Sequence, residues 1–380
     1  MGCPEEELIT ILKSEGVDFT CSLPCEKIKE LLGMVAGFFF HVSLTREEEG
    51  VGICAGAALS GKRPSIFVQS SGIGNMMNAL LSLTGFYTLP LAIFVSRRGV
   101  YKERIEAQVP MGSRLPMILK AAGMPYSIIN RRDDFGKIVK NLAKVYEDNA
   151  VHVFLLSPRI WEGASAGGSL SSNRGGEQPE IVWGRCAENT NKGKPVFRRF
   201  EILKIIAPYL ESHIVVTNLG FPSKELFHIK HQPSNFYMLG SMGMATPIGL
   251  GIALASKKQV VVIDGDGSIL MNPGSLATAA HCAPQNLTIL AIDNGSYGST
   301  GNQPTLTRSC VDLELVARGF GIGETRKVFS RKEITDIMKK PCRRLRFIHA
   351  LALPGNEDVP NIPIDHFTVK QSVQGFLRSG

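Results

Sequence analysis

The sequence predicts an α/β protein made of two doubly wound parallel-sheet halves. Three observations carry that expectation: short β-branched apolar runs, helical segments between them, and a break in composition near the middle of the chain. The apolar runs are 65–68, 91–95, 151–156, 260–263, 287–292 and 347–353, and helical patterns over 49–59, 247–255 and 273–283 separate them. Strands that are apolar throughout lie in parallel sheets covered by helices on both faces. Such sheets bind ligands beyond the carboxyl ends of their strands. The segments after Val68, Val95, Ile263 and Ile292 are therefore where chemistry is expected.

The two halves open alike. Helical spacing over 6–13 leads to a short strand over 18–22, a Leu23-Pro24 turn and a helix over 27–32. In the second half, a helix over 200–210, broken in its last turn by Pro208, leads to a β-branched strand over 214–217. A Gly220-Phe221-Pro222 turn and a helix over 224–227 follow. The stretch 163–195 is rich in Gly, Ser and Asn and lacks apolar periodicity, as a linker does. It separates a first domain over 1–162 from a second over 196–380.

Composition bounds the function. The chain has 380 residues, 44% hydrophobic and 20% charged, enough for two domains with sizeable cores. No apolar run reaches the length of a membrane span, and Glu5, Glu6 and Glu7 are foreign to a secretory signal, so a cytoplasmic protein is expected. The eight cysteines form no paired Cys-x-x-Cys pattern of a zinc site and read as reduced thiols. The net charge of +8 is scattered, without an aromatic-basic recognition pattern. It suits small anionic substrates better than nucleic acid.

After the strand over 260–263 comes Asp264-Gly265-Asp266-Gly267-Ser268, then a helix with Pro273 in its first turn; the next strand ends in Asp293-Asn294-Gly295. A βαβ unit brings such neighbouring strand ends together. Carboxylate and amide oxygens then face one spot, with glycines that let backbone amides approach a phosphate. Hard oxygen donors completed by phosphate oxygens describe magnesium. Asp-Gly alone is also a common turn.

Gly265-Asp266-Gly267 with Asn294 resembles the cofactor motif of the thiamine-diphosphate-dependent decarboxylases. The resemblance implies thiamine diphosphate and Mg2+ as cofactors. It makes Asp266, Asn294 and the Ser296 carbonyl the metal ligands, with Gly265, Gly267 and Ser268 at the diphosphate. Many members carry Asn-Asn where this chain has Asp293-Asn294. Gly240-Ser241-Met242-Gly243 matches the segment that holds the thiamine, with the Gly240 carbonyl at the 4′-amino group and Met242 as the wedge that bends the cofactor. Read alone, it is a tight loop with a core methionine.

The family also needs an acid that hydrogen-bonds N1′ of the aminopyrimidine. Glu47, with Gly56 nine positions on, fits the spacing of related decarboxylases. Glu48 and Glu49 compete with it, and a run of three glutamates is also an ordinary helix start. A Gly-rich turn, Gln69-Ser70-Ser71-Gly72-Ile73-Gly74-Asn75, follows the strand over 65–68, with a helix opening at Asn75. Gly74 and Asn75 are expected at the cofactor and Gln69, Ser70 and Ser71 at the substrate. Arg98, with Arg97 and Lys102 beside it, is a further substrate candidate or plain surface charge.

The resemblance covers nearly the whole chain and is to the compact plan of a pyrimidine domain and a diphosphate domain with no middle domain. Within the family, 45–52 and 69–75 look most like the branch acting on sulfopyruvate, here with two subunits fused. That branch makes sulfoacetaldehyde on the route to coenzyme M. Phosphonopyruvate, another 2-oxo acid or carboligation are the alternatives. The resemblance also implies a homodimer or homotetramer with active sites at the interface, Glu47 acting across it. A nucleotide-binding regulator would need Gly-x-Gly-x-x-Gly after an early strand; none follows Asp18, and Gly72-Ile73-Gly74 lacks the third glycine.

Overall fold

The computed structural model describes residues 2–162 and 194–379, which form two compact units. Of the linker expected over 163–195, all but 194 and 195 lies outside the described residues.

Unit 1 runs α1 (Pro4–Ser14), β1 (Phe19–Ser22), α2 (Lys29–Phe38), β2 (Phe40–Ser43), α3 (Glu47–Leu59), β3 (Pro64–Gln69) and α4 (Ser70–Ala79). It continues with β4 (Leu91–Ser96), α5 (Val109–Ala121), β5 (Tyr126–Ile129), α6 (Phe135–Glu147) and β6 (Val151–Leu156). The six strands form one parallel sheet in the order β2-β1-β3-β4-β6-β5. Register aligns Phe67, Phe94 and Phe154 across the central strands, where their rings stack at 4.9 Å. On one face α6 lays Phe135, Ile138, Leu142 and Val145 onto the core at helical spacing. Helix α3 is buried on all sides, as its run of Gly and Ala allows. A side chain at Gly50 would collide with Leu44 and Ile66 at 2.5 and 2.6 Å.

Unit 2 runs α7 (Arg199–Ile206), β7 (Ile214–Thr217), α8 (Phe221–Ile229), β8 (Asn235–Tyr237), α9 (Ala245–Ala255), β9 (Val260–Gly265), α10 (Asp266–Met271) and α11 (Gly274–Cys282). Then come β10 (Leu287–Asp293), a small hairpin of β11 (Ser296–Tyr297) and β12 (Gln303–Pro304), α12 (Leu313–Gly319), β13 (Glu324–Val328), α13 (Arg331–Met338), β14 (Arg346–Leu351) and α14 (His366–Arg378). Its parallel sheet has the order β13-β14-β10-β9-β7-β8. Counted within each unit and leaving out the hairpin, this is the strand order of unit 1 read from the other end. The likeness expected from the two openings therefore extends through both sheets.

Several local expectations are met or corrected. Helix α7 stops at Ile206 and its continuation, with Pro208 inside, is a 3-10 turn. Pro273 does not open a long helix after the Gly-Asp-Gly segment; α10 starts directly at Asp266, and Pro273 caps α11. The Gly-rich stretch after β3 is likewise not a turn, because α4 already begins at Ser70. In both cases the strand passes into a helix with no intervening loop.

Candidate active site

The rim of unit 2 assembles the residues expected at the cofactor. Register pairs Ala291 with Asp264 and Ile292 with Gly265, so β10 delivers Asp293 and Asn294 beside the start of α10. The Asp266 carboxylate is buried and accepts hydrogen bonds from the Thr305 and Thr307 hydroxyls. Thr307 Oγ1 lies 3.2 Å from Asp266 Oδ2 and 2.8 Å from Asp293 Oδ1, linking the two acids. Burial, and then the charge of Asp293, push the Asp266 carboxyl up to about 6 against the pull of the two threonines. A desolvated carboxylate beside a second one is an electrostatic demand for a cation.

Glycines let the segments close in on one another. A side chain at Gly267 would meet the Tyr297 ring at 2.3 Å. Gly243, at φ +92°, donates its N–H to Ser268 Oγ at 3.1 Å and so ties the 240–243 loop to α10. Gly240 and Met242 are half-buried on that loop, and Ser241 holds a left-handed φ of +59°. Among the described residues, Asn294 Nδ2 and Ser296 Oγ are buried with no hydrogen-bond partner, whereas Asn294 Oδ1 accepts from Ser296 N at 3.2 Å. Buried polar atoms seldom go unpaired, so these two fit a site built for a polar guest. No three His, Cys, Asp or Glu side chains converge as metal ligands among the described residues. A cation here would rest on mixed oxygen donors, as the carboxylate, amide and carbonyl set expects.

Behind this rim lies a network the sequence reading did not anticipate. Asp293 Oδ2 pairs with His349 Nε2 at 2.8 Å, His349 Nδ1 is 3.6 Å from Asp312 Oδ1, and Lys327 pairs with Asp312. Burial by itself lowers the proton affinity of His349, but Asp293 and Asp312 outweigh it and raise the imidazole above its ordinary value. Burial would raise Asp312, yet His349 and Lys327 hold it well below the carboxylate range. Thr305 and Thr307 were missed as well, since they approach Asp266 from some forty positions along the chain and leave no local pattern.

In unit 1 the three glutamates separate into three roles. Glu49 caps α3, its Oε1 accepting from Thr45 N at 2.5 Å and Arg46 N at 3.3 Å. Glu48 pairs with Arg46 at 3.6 Å, while burial raises its carboxyl. Glu47 is 4% exposed and accepts a 3.0 Å hydrogen bond from Asn75 Nδ2. A side chain on Gly72 would lie 2.7 Å from Glu47 Cγ, so the carboxyl is seated against bare backbone. Gly74 faces Met111.

The expected substrate residues are brought to the same rim, but not all point outward. Gln69 Nε2 donates to Ser71 Oγ at 2.8 Å, and both side chains stay half-buried. Ser70 is fully buried and lies within 3.4 Å of the carbonyls of Ser96 and Arg98, which makes it a brace between α4 and β4. Arg98 is paired within the unit. Its Nε and Nη2 clamp Glu103 at 2.7 and 2.8 Å, and that partner holds its proton affinity above the ordinary arginine value. Against the expectation that Arg98 contacts the substrate, the residue is only 5% exposed and its guanidinium is already paired with Glu103.

Residues 218–349 match the family described as thiamine pyrophosphate enzyme, C-terminal TPP binding domain. Over 95% of this chain and 94% of its own length, a sulfopyruvate decarboxylase of Methanosarcina acetivorans is 45% identical. The chain belongs to the thiamine-diphosphate-dependent decarboxylases. The β subunit of a Methanococcus maripaludis sulfopyruvate decarboxylase aligns at 48% identity with 47% of this chain and 97% of its own length. A phosphonopyruvate decarboxylase of Streptomyces viridochromogenes is 32% identical over 87% of this chain and 83% of its own. Among solved structures, a thiamine diphosphate-dependent 4-hydroxybenzoylformate decarboxylase of Rhodococcus jostii shares the fold, with a TM-score of 0.72 at 13% identity over 94% of this chain and all of that one. Two α/β units in one chain are what a fusion of two subunits produces, and no helix among the described residues is long and apolar enough to cross a membrane.

Proposed function

We propose that this chain decarboxylates 3-sulfopyruvate to sulfoacetaldehyde and carbon dioxide, using thiamine diphosphate and Mg2+. The observation that carries the substrate is the whole-length likeness to a sulfopyruvate decarboxylase at 45% identity, against 32% for a phosphonopyruvate decarboxylase. Thiamine diphosphate, when bound, supplies the electron sink that lets carbon dioxide depart.

The chain's own residues divide the remaining work. Asp266, Asn294 and the Ser296 carbonyl hold Mg2+, and Gly265, Gly267 and Ser268 meet the diphosphate. The two buried acids support this assignment, because a cation offsets the burial, and then the repulsion from Asp293, that raise Asp266. The Gly240 carbonyl and Met242 would hold the aminopyrimidine part of the cofactor. Glu47 would donate a hydrogen bond from its carboxyl to N1′, with Asn75 fixing its orientation and Gly72 leaving room for it. Gly74 and Asn75 belong to the same ring pocket. Gln69 and Ser71 offer amide and hydroxyl groups to the substrate. In this reading 1–162 is the pyrimidine domain and 196–380 the diphosphate domain. The enzyme is a cytoplasmic homodimer or homotetramer with active sites at the interface, and it serves coenzyme M biosynthesis.

The test is direct. The purified chain, supplied with thiamine diphosphate, magnesium and sulfopyruvate, releases sulfoacetaldehyde, which a coupled dehydrogenase assay detects. Turnover of phosphonopyruvate at an equal or higher kcat/KM would overturn the substrate assignment.

A further inference from the structure

We infer that unit 1 carries an additional binding site, for a tetrahedral oxyanion, at the carboxyl rim of β4, β6 and β5. A cavity of about 360 Å³ opens there, lined by Arg97, Tyr101, Asn130, Arg131, Ser157 and Arg159 among others. Topology explains the convergence. The three strands lie side by side in the order β4-β6-β5. Arg97 directly follows β4, Asn130 and Arg131 follow β5, and Ser157 and Arg159 follow β6. Backbone hydrogen bonds stitch the three exits together: Arg97 N donates to Leu156 O at 2.8 Å, and Ser157 N to Ile129 O at 2.8 Å.

Three arginines from three strand ends thus line one cleft, and among the described residues no carboxylate lines it. Three acids on the adjoining segments are engaged elsewhere. Glu162 accepts from Lys102 Nζ and the Tyr101 hydroxyl, each at 2.6 Å. Asp134 takes the backbone N–H groups of Asn130 and Arg131 at 2.8 and 3.2 Å and pairs with Lys137 at 2.7 Å. Glu103 is clamped by Arg98. Arg97 Nε is buried and has no hydrogen-bond partner among the described residues. The Ser157 hydroxyl accepts from Arg159 N at 3.3 Å and keeps its own proton for a second partner.

Like charges gathered in a partly desolvated cleft repel one another, and a bound anion removes that cost. Planar guanidinium forks match the oxygen spacing of sulfate, sulfonate or phosphate, so a small anion with a tetrahedral head is the ligand class. This site does not depend on the thiamine chemistry. Its oxyanion has two possible sources: the sulfonate of the substrate itself, or a separate anionic metabolite.

Calorimetric titration of the full chain with inorganic sulfate tests the site. Thiamine diphosphate and magnesium are kept saturating so that sulfate is excluded from the diphosphate site. Saturable binding is expected in the wild type and in Arg114→Ala, which removes an exposed arginine of α5 away from the cavity. Arg131→Ala and Arg159→Ala, both at exposed positions, each weaken binding tenfold or more. Sulfate that raises only the KM for sulfopyruvate identifies the substrate's sulfonate as the natural occupant. Sulfate that binds without changing that KM identifies a separate anion. No saturable binding, or equal affinity in all three variants, overturns the inference.

Discussion

The two units share a strand order but have opposite electrostatics at corresponding places. In unit 1 the fourth strand of the chain order ends in Arg97 and Arg98, and its rim gathers three arginines. In unit 2 the fourth strand ends in Asp293 and Asn294, and its rim gathers two buried acids with the threonines that bind them. The third strand behaves alike in both, passing straight into a helix at Ser70 and at Asp266. The difference teaches that the sheet supplies only an address. The few residues at each strand exit decide whether that address attracts a cation or an anion.

The largest expected effect falls on unit 1. Glu47→Gln removes the acid while keeping its shape, and should lower kcat by about 10²–10⁴-fold, the usual reach of a proton-handling group. Cofactor binding, read from quenching of intrinsic fluorescence, should persist; normal turnover would remove Glu47 from the mechanism. In unit 2, Asp266→Asn should weaken magnesium binding by at least about tenfold, the scale for losing a metal-site partner. The same variant carries an opposite second effect. Because the folded carboxyl is raised to about 6 from an ordinary 3.8, its ionisation works against the fold above pH 6. Without metal, Asp266→Asn should therefore be more stable than the wild type at pH 8, by about 1–3 kcal/mol. That advantage should fade as pH falls through about 6 and be gone near 4, below which both forms are neutral. A variant that is less stable at pH 8 would mean that burial and the neighbouring acid do not raise the Asp266 carboxyl.

Gly72→Ala probes how tightly Glu47 is seated. The added methyl would press on Glu47 Cγ, and a destabilisation of about 1–3 kcal/mol is expected, with a fall in kcat larger than the change in KM. An unchanged melting curve would show that Glu47 moves aside freely. The smallest effect concerns His349. Its raised proton affinity contributes stability that is present below its ordinary value of 6.5 and lost as pH rises through the folded value. His349→Gln should flatten that alkaline decline, as thermal melts taken across the pH range would show.

What the sequence revealed follows from burial. The central strands β3, β4, β6, β9, β10 and β14 stand out as apolar runs because both of their faces are covered. Within the two six-stranded sheets, the four strands that no run announced, β2, β5, β8 and β13, are the four edges. Three of them are partly exposed and the fourth is only three residues long, so none leaves a continuous apolar signature. The site shows the same divide. Asp266, Asn294 and Glu47 were legible because motif and spacing name them. Thr305, Thr307, His349 and Asp312 were not, because each reaches the site from a distant segment. Arg98 was misleading for the same reason: nothing in Arg97-Arg98 says which guanidinium Glu103 will capture.

Both sheets turn their chemistry toward one rim, which leaves the other rim for engineering. The Gly61–Arg63 corner before β3 and the Lys257–Lys258 corner before β9 lie at the opposite rims of their own sheets, with Gly61, Arg63 and Lys257 exposed and Lys62 and Lys258 half-buried. A fluorescent reporter or affinity peptide spliced into either corner would ride on the scaffold without crowding the reacting groups.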